Sequence, residues 1–314
     1  MRFQVVVNSS EKFPVISLKD TRLNSNVEIY SFGALLNEFR FETRETLFFN
    51  CVDGFNSVED ALENITNGFK STKLSPFVCR LNNGEYSFDG KQYKTNKFYL
   101  DRHAIHGLLY DAPFEVISTH ADEHHAIVGL RYKYQATDNG YPFAYEIIVH
   151  WKLEAENKLS ATTTIIHHHH TAIPIADGWH PYFKIGDTIN NCALQFDSHT
   201  QVEFDETLIP TGKTTTDKRF EDATFLDDTF LDNCFVLKEP GKSKCVLENT
   251  QFRLTIHPDS NYPYLQIYTP SHRKSIAIEN LSSIPDAFNN GIGLIMLTPN
   301  HQHNFTTTYQ IKVL

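Results

Sequence analysis

Four short stretches set a polar side chain of catalytic type beside tight-turn or aromatic residues. They are "PFVCRLNNGEYSFDGKQY" with Arg80, "AIHGLL" with His106, "DGWHPYFKIG" with His180 and "SIAIENLSSIPDAFNNG" with Glu279. Glu279 follows the apolar-rich run "SIAI". A carboxylate at the end of such a strand is partly desolvated, and desolvation raises its basicity. His180 stands among Trp179, Tyr182 and Phe183, and histidine is the natural proton donor near neutral pH. An acid and a base of this kind point to proton transfer. Taken singly, each residue also has a plainer reading: a packed histidine, a surface ion-pair arginine, a solvated strand-end carboxylate.

The eye is drawn instead to four consecutive histidines, His167 to His170. If they lie on a strand, side chains alternate, so His167 and His169 share one face and His168 and His170 the other. A His-x-His pair of this sort binds metal in cupin-like barrels. No carboxylate follows here until Asp177, so the sequence reads as holding no metal there, the histidines being polar strand residues bonded to their neighbours. Gly212-Lys213-Thr214 resembles the end of a phosphate-binding loop, but Thr207 stands where the motif needs a glycine. Glu221, Asp222, Asp227, Asp228 and Asp232 could supply the paired carboxylates of glycoside hydrolysis. An acid-rich loop is ordinarily just solvated.

The elements that must hold these residues read mostly as strands. Aromatic and β-branched residues dominate. "HHAIVGLRYKYQATDNGYPFAYEIIVHWKLEAENKLSATTTII" reads as a three-strand meander turning at Asp138-Asn139-Gly140 and Glu156-Asn157-Lys158. "NNGEYSFDGKQYK" reads as a hairpin turning at Asp89-Gly90. Turn signals then recur about every eight to twelve residues to the C-terminus, the rhythm of a sandwich or barrel. One helix is predicted in "NSVEDALENITNGF". Ser57 is its N-cap, Glu59 and Asp60 its acidic first turn, and Gly68 its stop; Ala61, Leu62 and Ile65 form its apolar stripe. With no linker, repeat or low-complexity tract, one antiparallel β-sandwich domain over residues 1–314 is the simplest architecture.

The 314 residues are 40% hydrophobic and 13% aromatic, enough for a sizeable core. A formal charge of -10 argues against nucleic acid or an anionic membrane as partner. Five scattered cysteines without a CxxC read as reduced thiols of a cytoplasmic protein. The N-terminus lacks the apolar core of a signal peptide, and no stretch approaches the ~20 apolar residues of a membrane helix.

In this order, the stretches resemble the aldose 1-epimerase (galactose mutarotase-like) family from roughly residue 25 to the C-terminus. "YSFGALLNEFRF" is similar to its opening strands and "VDGFNSVED" to its helix segment. "IADGWHPYFKIG" and "YLQIYTPSHRKSIAIENLSSIPDAFNNG" are similar to its catalytic histidine and glutamate stretches, and "LDNCF" to its substrate-binding aspartate stretch. The resemblance implies the family's large supersandwich with one or two short helices, and anomer interconversion of a free aldohexose or related sugar. It implies Glu279 as base, His180 as acid, and Arg80, His106 and Asp232 as ligands of sugar hydroxyls. Asp228 in "FLDDTF" matches almost as well as Asp232, which directly precedes the next strand. The chain departs from the family at Cys79, where Asn is common; at Leu108, in place of a second glycine; and at the histidine run, where an Asn is usual.

The implied mechanism needs no cofactor or metal. A base takes the C1 hydroxyl proton while an acid protonates the ring oxygen; the aldehyde rotates and closes with the roles reversed. Glu279 ionised and His180 charged would suit it, and Asp232 nearby would favour the imidazolium. The partner is then a small sugar, and the chain a monomer or homodimer. Two other readings remain: a hexose-6-phosphate mutarotase, for which Lys91, Lys94, Lys97 and Arg102 could supply basic groups, and a non-catalytic carbohydrate-binding sandwich.

Overall fold

The computed structural model describes residues 1–168 and 170–314. Strands dominate, as the alternating sequence predicts. Residues Tyr145–Glu154 bury every second side chain, namely Tyr145, Ile147, Val149, Trp151 and Leu153. This strand sits inside a nine-stranded sheet. The sheet's order is Glu115–Ala121, His125–Tyr134, Tyr145–Glu154, Lys158–Ile166, Gln302–Val313, Phe252–Pro258, Cys245–Glu248, Ala193–Phe196 and Thr224–Phe225.

A second sheet carries the candidate chemistry. Its order is Pro210–Thr216, Thr200–Phe204, Asp232–Val236, Tyr264–Tyr268, Ile276–Leu281, Gly178–His180 and Thr72–Leu74, with Tyr182–Phe183 also paired to Ile276–Leu281. Every pairing in both sheets is antiparallel. One face of the second sheet enters the main core with Phe235, Leu265, Ile267, Ile276 and Ile278, where it meets Phe305, Tyr309 and Ile311 of the nine-stranded sheet. Each such large apolar side chain contributes about 1.5–3 kcal/mol by leaving water. One polar contact ties the sheets together: Asn280 Nδ2 donates to Thr307 Oγ1 at 2.5 Å.

An N-terminal five-stranded sheet runs in simple order from Phe3–Asn8 to Phe48–Asn50. Two short helices complete the fold, Val58–Asn64 and Ala287–Asn290. The first begins as predicted, with Ser57 Oγ accepting from Asp60 N at 3.1 Å. It stops earlier than the glycine signal, at Asn64, with the chain turning through Gly68 at φ 89°. The Asp89-Gly90 hairpin is present, both residues having positive φ (49° and 71°) as a tight hairpin turn requires.

Two expectations need correction. The strand Lys158–Ile166 ends before the histidines, so strand alternation does not apply to them. His167 is buried, with Nε2 2.6 Å from the Leu297 carbonyl, while His168 and His170 are exposed. His169, weighed with His167 in the metal reading that the sequence disfavours, lies outside the described residues. Gly212-Lys213-Thr214 is no loop but part of the exposed edge strand Pro210–Thr216.

Candidate active site

Strand register alone brings His180 and Glu279 together. Gly178 pairs with Leu281 and Tyr182 with Ala277. His180, midway between Gly178 and Tyr182, therefore comes level with Glu279, midway between Leu281 and Ala277. Pro181 interrupts the ladder on this strand without shifting it: its carbonyl still accepts from Ile278 N at 3.3 Å. The result is His180 Nε2 at 3.3 Å from Glu279 Oε1, both side chains almost fully buried. On its other side Glu279 pairs with Gln266, and Gln266 with Cys234. Gln266 Nε2 donates to Asp232 Oδ1 at 2.8 Å, Asp232 lying two residues along from Cys234 on the same face.

The backbone around His180 is pinned from outside the sheet. Its carbonyl accepts from Ser71 N at 2.8 Å, and the Tyr182 carbonyl accepts from Asp53 N at 3.0 Å. Beneath it, on the opposite face, Lys73 is wholly buried. Its Nζ lies 2.5 Å from Asp177 Oδ1 and 4.3 Å from the Trp179 ring centroid, and Tyr262 also donates to Asp177.

Arg80 and His106 arrive from a different segment, not from the sheet. Arg80 pairs with Ile105, and His106 N donates to the Cys79 carbonyl at 2.9 Å. Cys79 and His106 both adopt positive φ, 47° and 63°, a conformation that asparagine tolerates better than cysteine. Gly107 follows because nothing larger fits: a Cβ there would lie 2.3 Å from the Ser75 carbonyl oxygen. Leu108 occupies the next position, buried, with its N–H on the same carbonyl at 2.7 Å. Asp286 staples the Arg80 segment to the loop beyond Glu279. Its N–H donates to Arg80 O and its Oδ1 accepts from Asn82 N.

These side chains enclose a cavity of about 250 Å³. Its lining includes all five predicted residues, Arg80, His106, His180, Asp232 and Glu279, and adds Cys79, Tyr182, Gln266 and Tyr268. Asp228, the alternative to Asp232, is exposed in the preceding turn. Of the three aromatics beside the histidine, only Tyr182 reaches the cavity, stacked on His180 at 5.0 Å. Trp179 packs on Trp151 and Phe183 on Tyr309, both in the core. Gln266 is the residue that sequence reasoning missed. Its signal was present, as the polar residue between Leu265 and Ile267 on a strand beside that of the glutamate.

Burial governs the electrostatics. It pushes Glu279 well above the ordinary carboxylate value, helped by the charge of Asp232 and opposed by Arg80. It pushes His180 down to about 4. His106 is held well below the usual histidine value by burial, then by His180 and Arg80; its ring stands perpendicular to that of His180 at 4.8 Å. Asp232 is raised by burial against the pull of Arg80 and Gln266. Contrary to the sequence expectation, burial therefore works against an imidazolium at His180. Asp232 bonds to Gln266, and desolvation outweighs any attraction it offers His180. Three buried polar atoms of cavity residues lack a hydrogen-bond partner within the protein: His106 Nδ1, His180 Nδ1 and Gln266 Oε1. Such atoms are costly to bury unmet, and a polyhydroxylated ligand would satisfy them.

Comparison with known proteins shows the family and the fold. Residues 14–310 match the family model described as aldose 1-epimerase. The uncharacterized protein YihR of Escherichia coli K12 is 26% identical over 237 residues, spanning 73% of this chain and 75% of YihR. Among solved structures, the fold resembles galactose 1-epimerase from Lactobacillus acidophilus NCFM (TM-score 0.83, 17% identity, 100% of this chain and 99% of that one). It equally resembles a galactose mutarotase-like protein from Clostridium acetobutylicum (TM-score 0.85, 18% identity, 99% and 98% covered). With the family model matching nearly end to end, the chain belongs to the aldose 1-epimerase family.

Proposed function

We propose that the chain interconverts the α and β anomers of a free aldohexose or a close relative, with Glu279 as base and His180 as acid. The observation that carries this reading is their 3.3 Å contact in the wall of a cavity that also gathers Arg80, His106 and Asp232. A protein that merely bound sugar would gain nothing from burying an acid beside a base.

The proton count fits the chemistry. Ring opening moves one proton from the C1 hydroxyl to Glu279 and one from His180 to the ring oxygen. It thus converts carboxylate plus imidazolium into carboxylic acid plus imidazole. Both states hold one proton on the pair. Burial favours the neutral–neutral state, which is the form present while the sugar is open. Hydrogen bonds to a bound ring and the charge of Arg80 favour the ionised form before opening. The site thereby keeps the two forms close in free energy. After the aldehyde rotates about C1–C2, Glu279 returns its proton to O1 as the ring oxygen returns its own to His180. Positioned groups of this kind typically contribute about 10² to 10⁴ each in rate.

Arg80, His106, Asp232 and Gln266 supply hydrogen bonds to the remaining hydroxyls, and Tyr182 and Tyr268 supply apolar surface. A phosphorylated substrate is less well served. Lys94 pairs with Glu85 and Lys97 with Asp111, and Arg102 shares its surface with Asp101 and Glu206. The test is anomer interconversion followed by polarimetry or NMR over a panel of free and 6-phosphorylated aldoses. A rate above background on a free sugar supports the proposal; none on any sugar defeats it.

A further inference from the structure

We propose that His120, Asp122 and His125 form a zinc-binding site at the tip of the hairpin that joins Glu115–Ala121 to His125–Tyr134. Among the described residues, these three side chains bring one ligand atom each within 4.8 Å of the others. None of them lines the catalytic cavity.

The donor atoms stand at the spacing of zinc ligands. His120 Nε2 lies 3.5 Å from Asp122 Oδ2, and His125 Nδ1 lies 3.4 Å from Asp122 Oδ1. Two donors held about 2.1 Å from zinc at a tetrahedral angle are about 3.4 Å apart. The carboxylate thus offers one oxygen toward each imidazole at the separation that coordination would impose. The two rings stand 5.4 Å apart, so closing the set needs only small side-chain rotations. Two imidazoles and one carboxylate are a donor set that suits zinc, with remaining positions left to water.

The turn also fixes its central ligand. Asp122 Oδ1 accepts from His124 N at 2.7 Å and His125 N at 2.8 Å. These bonds fix the orientation of its carboxylate toward the two imidazoles. Asp122 N donates to His125 O at 3.0 Å, closing the turn. The Asp122 carbonyl accepts from Phe3 N, and the terminal amine of Met1 lies 3.5 Å from Glu123. A bound ion would therefore brace the junction between this turn and the N-terminal strand.

The test is calorimetric titration of untagged, chelator-treated protein with Zn²⁺. The histidine run at 168–170 offers competing imidazoles, so three variants are compared with wild type: His120→Ala/His125→Ala, His168→Gln/His169→Gln/His170→Gln, and Asp122→Asn. The inference requires one equivalent of zinc that persists in the triple variant, vanishes in the double variant, and weakens at least about tenfold in Asp122→Asn. Asp122→Asn keeps an acceptor for the turn, so its loss of affinity would not reflect unfolding. The proposal is overturned if wild type takes up no zinc, or if the double variant titrates as wild type does.

Discussion

His180 Nε2 lies 3.3 Å from Glu279 Oε1, on neighbouring antiparallel strands whose register sets them level. Replacing Glu279 by Gln preserves shape and removes the base. Mutarotation by Glu279→Gln should fall by about 10² to 10⁴, with the fold intact by circular dichroism. A variant that keeps the wild-type rate would show that another group takes the C1 proton.

The pH profile follows from the shared proton. As pH falls through the His180 value of about 4, the pair gains a second proton and has no base. As pH rises through the raised value of Glu279, the pair loses its only proton and has no acid. Since the pair titrates as a unit, kcat/KM should show an acid limb near pH 4 and an alkaline limb where the raised Glu279 loses its proton. An acid limb at the ordinary histidine value, about 6.5, would mean that the imidazole of the free enzyme is charged after all.

Asp232 and Asp228 can be separated by kinetics. Asp232 lines the cavity and takes a bond from Gln266, whereas Asp228 is exposed. Asp232→Ala should raise KM at least about tenfold, the loss of one hydrogen bond to a charged group. Asp228→Ala should leave both constants unchanged.

Gly107 and Gly90 both have positive φ, 76° and 71°, but only Gly107 is crowded. Gly90→Ala should cost about 1–2 kcal/mol for the left-handed backbone alone. Gly107→Ala should cost more, because its Cβ meets the Ser75 carbonyl at 2.3 Å. Denaturant unfolding of the two variants measures the difference, and equal values would deny the clash.

The buried pair under the acid is a matter of stability. Lys73→Met leaves the Asp177 carboxylate unpaired in a dry interior, a loss of about 3–5 kcal/mol. Adding Asp177→Asn should recover part of it by removing the stranded charge. If the double variant is no more stable than Lys73→Met in thermal or denaturant unfolding, the charge was not the cause.

Much of this site was legible in the residues, and what was hidden has physical reasons. The turn chemistry of Asp89-Gly90 and the cap at Ser57 are local, and both were visible. The identities of His180 and Glu279 were visible through family resemblance, but their contact depends on register between strands distant in sequence. Gln266 carries no motif; only its place across from Glu279 gives it a role. The histidine run misled because alternation holds only while the strand lasts, and this one ends at Ile166. The lowering of His180 was hidden because burial cannot be read from neighbours in sequence.

Acid and base stand on one sheet, locked by its ladder, while Arg80 and His106 come from a separately stapled segment. Under the proposed function, Asp232 and Gln266 share the sheet of the proton-transfer pair, while Arg80 and His106 reach the sugar from a segment with its own attachments. If the proposed function holds, a change at Cys79, which lines the cavity between Arg80 and Glu279, re-tunes sugar preference while the proton-transfer pair stays fixed, so a lineage explores new substrates without passing through an inactive ancestor.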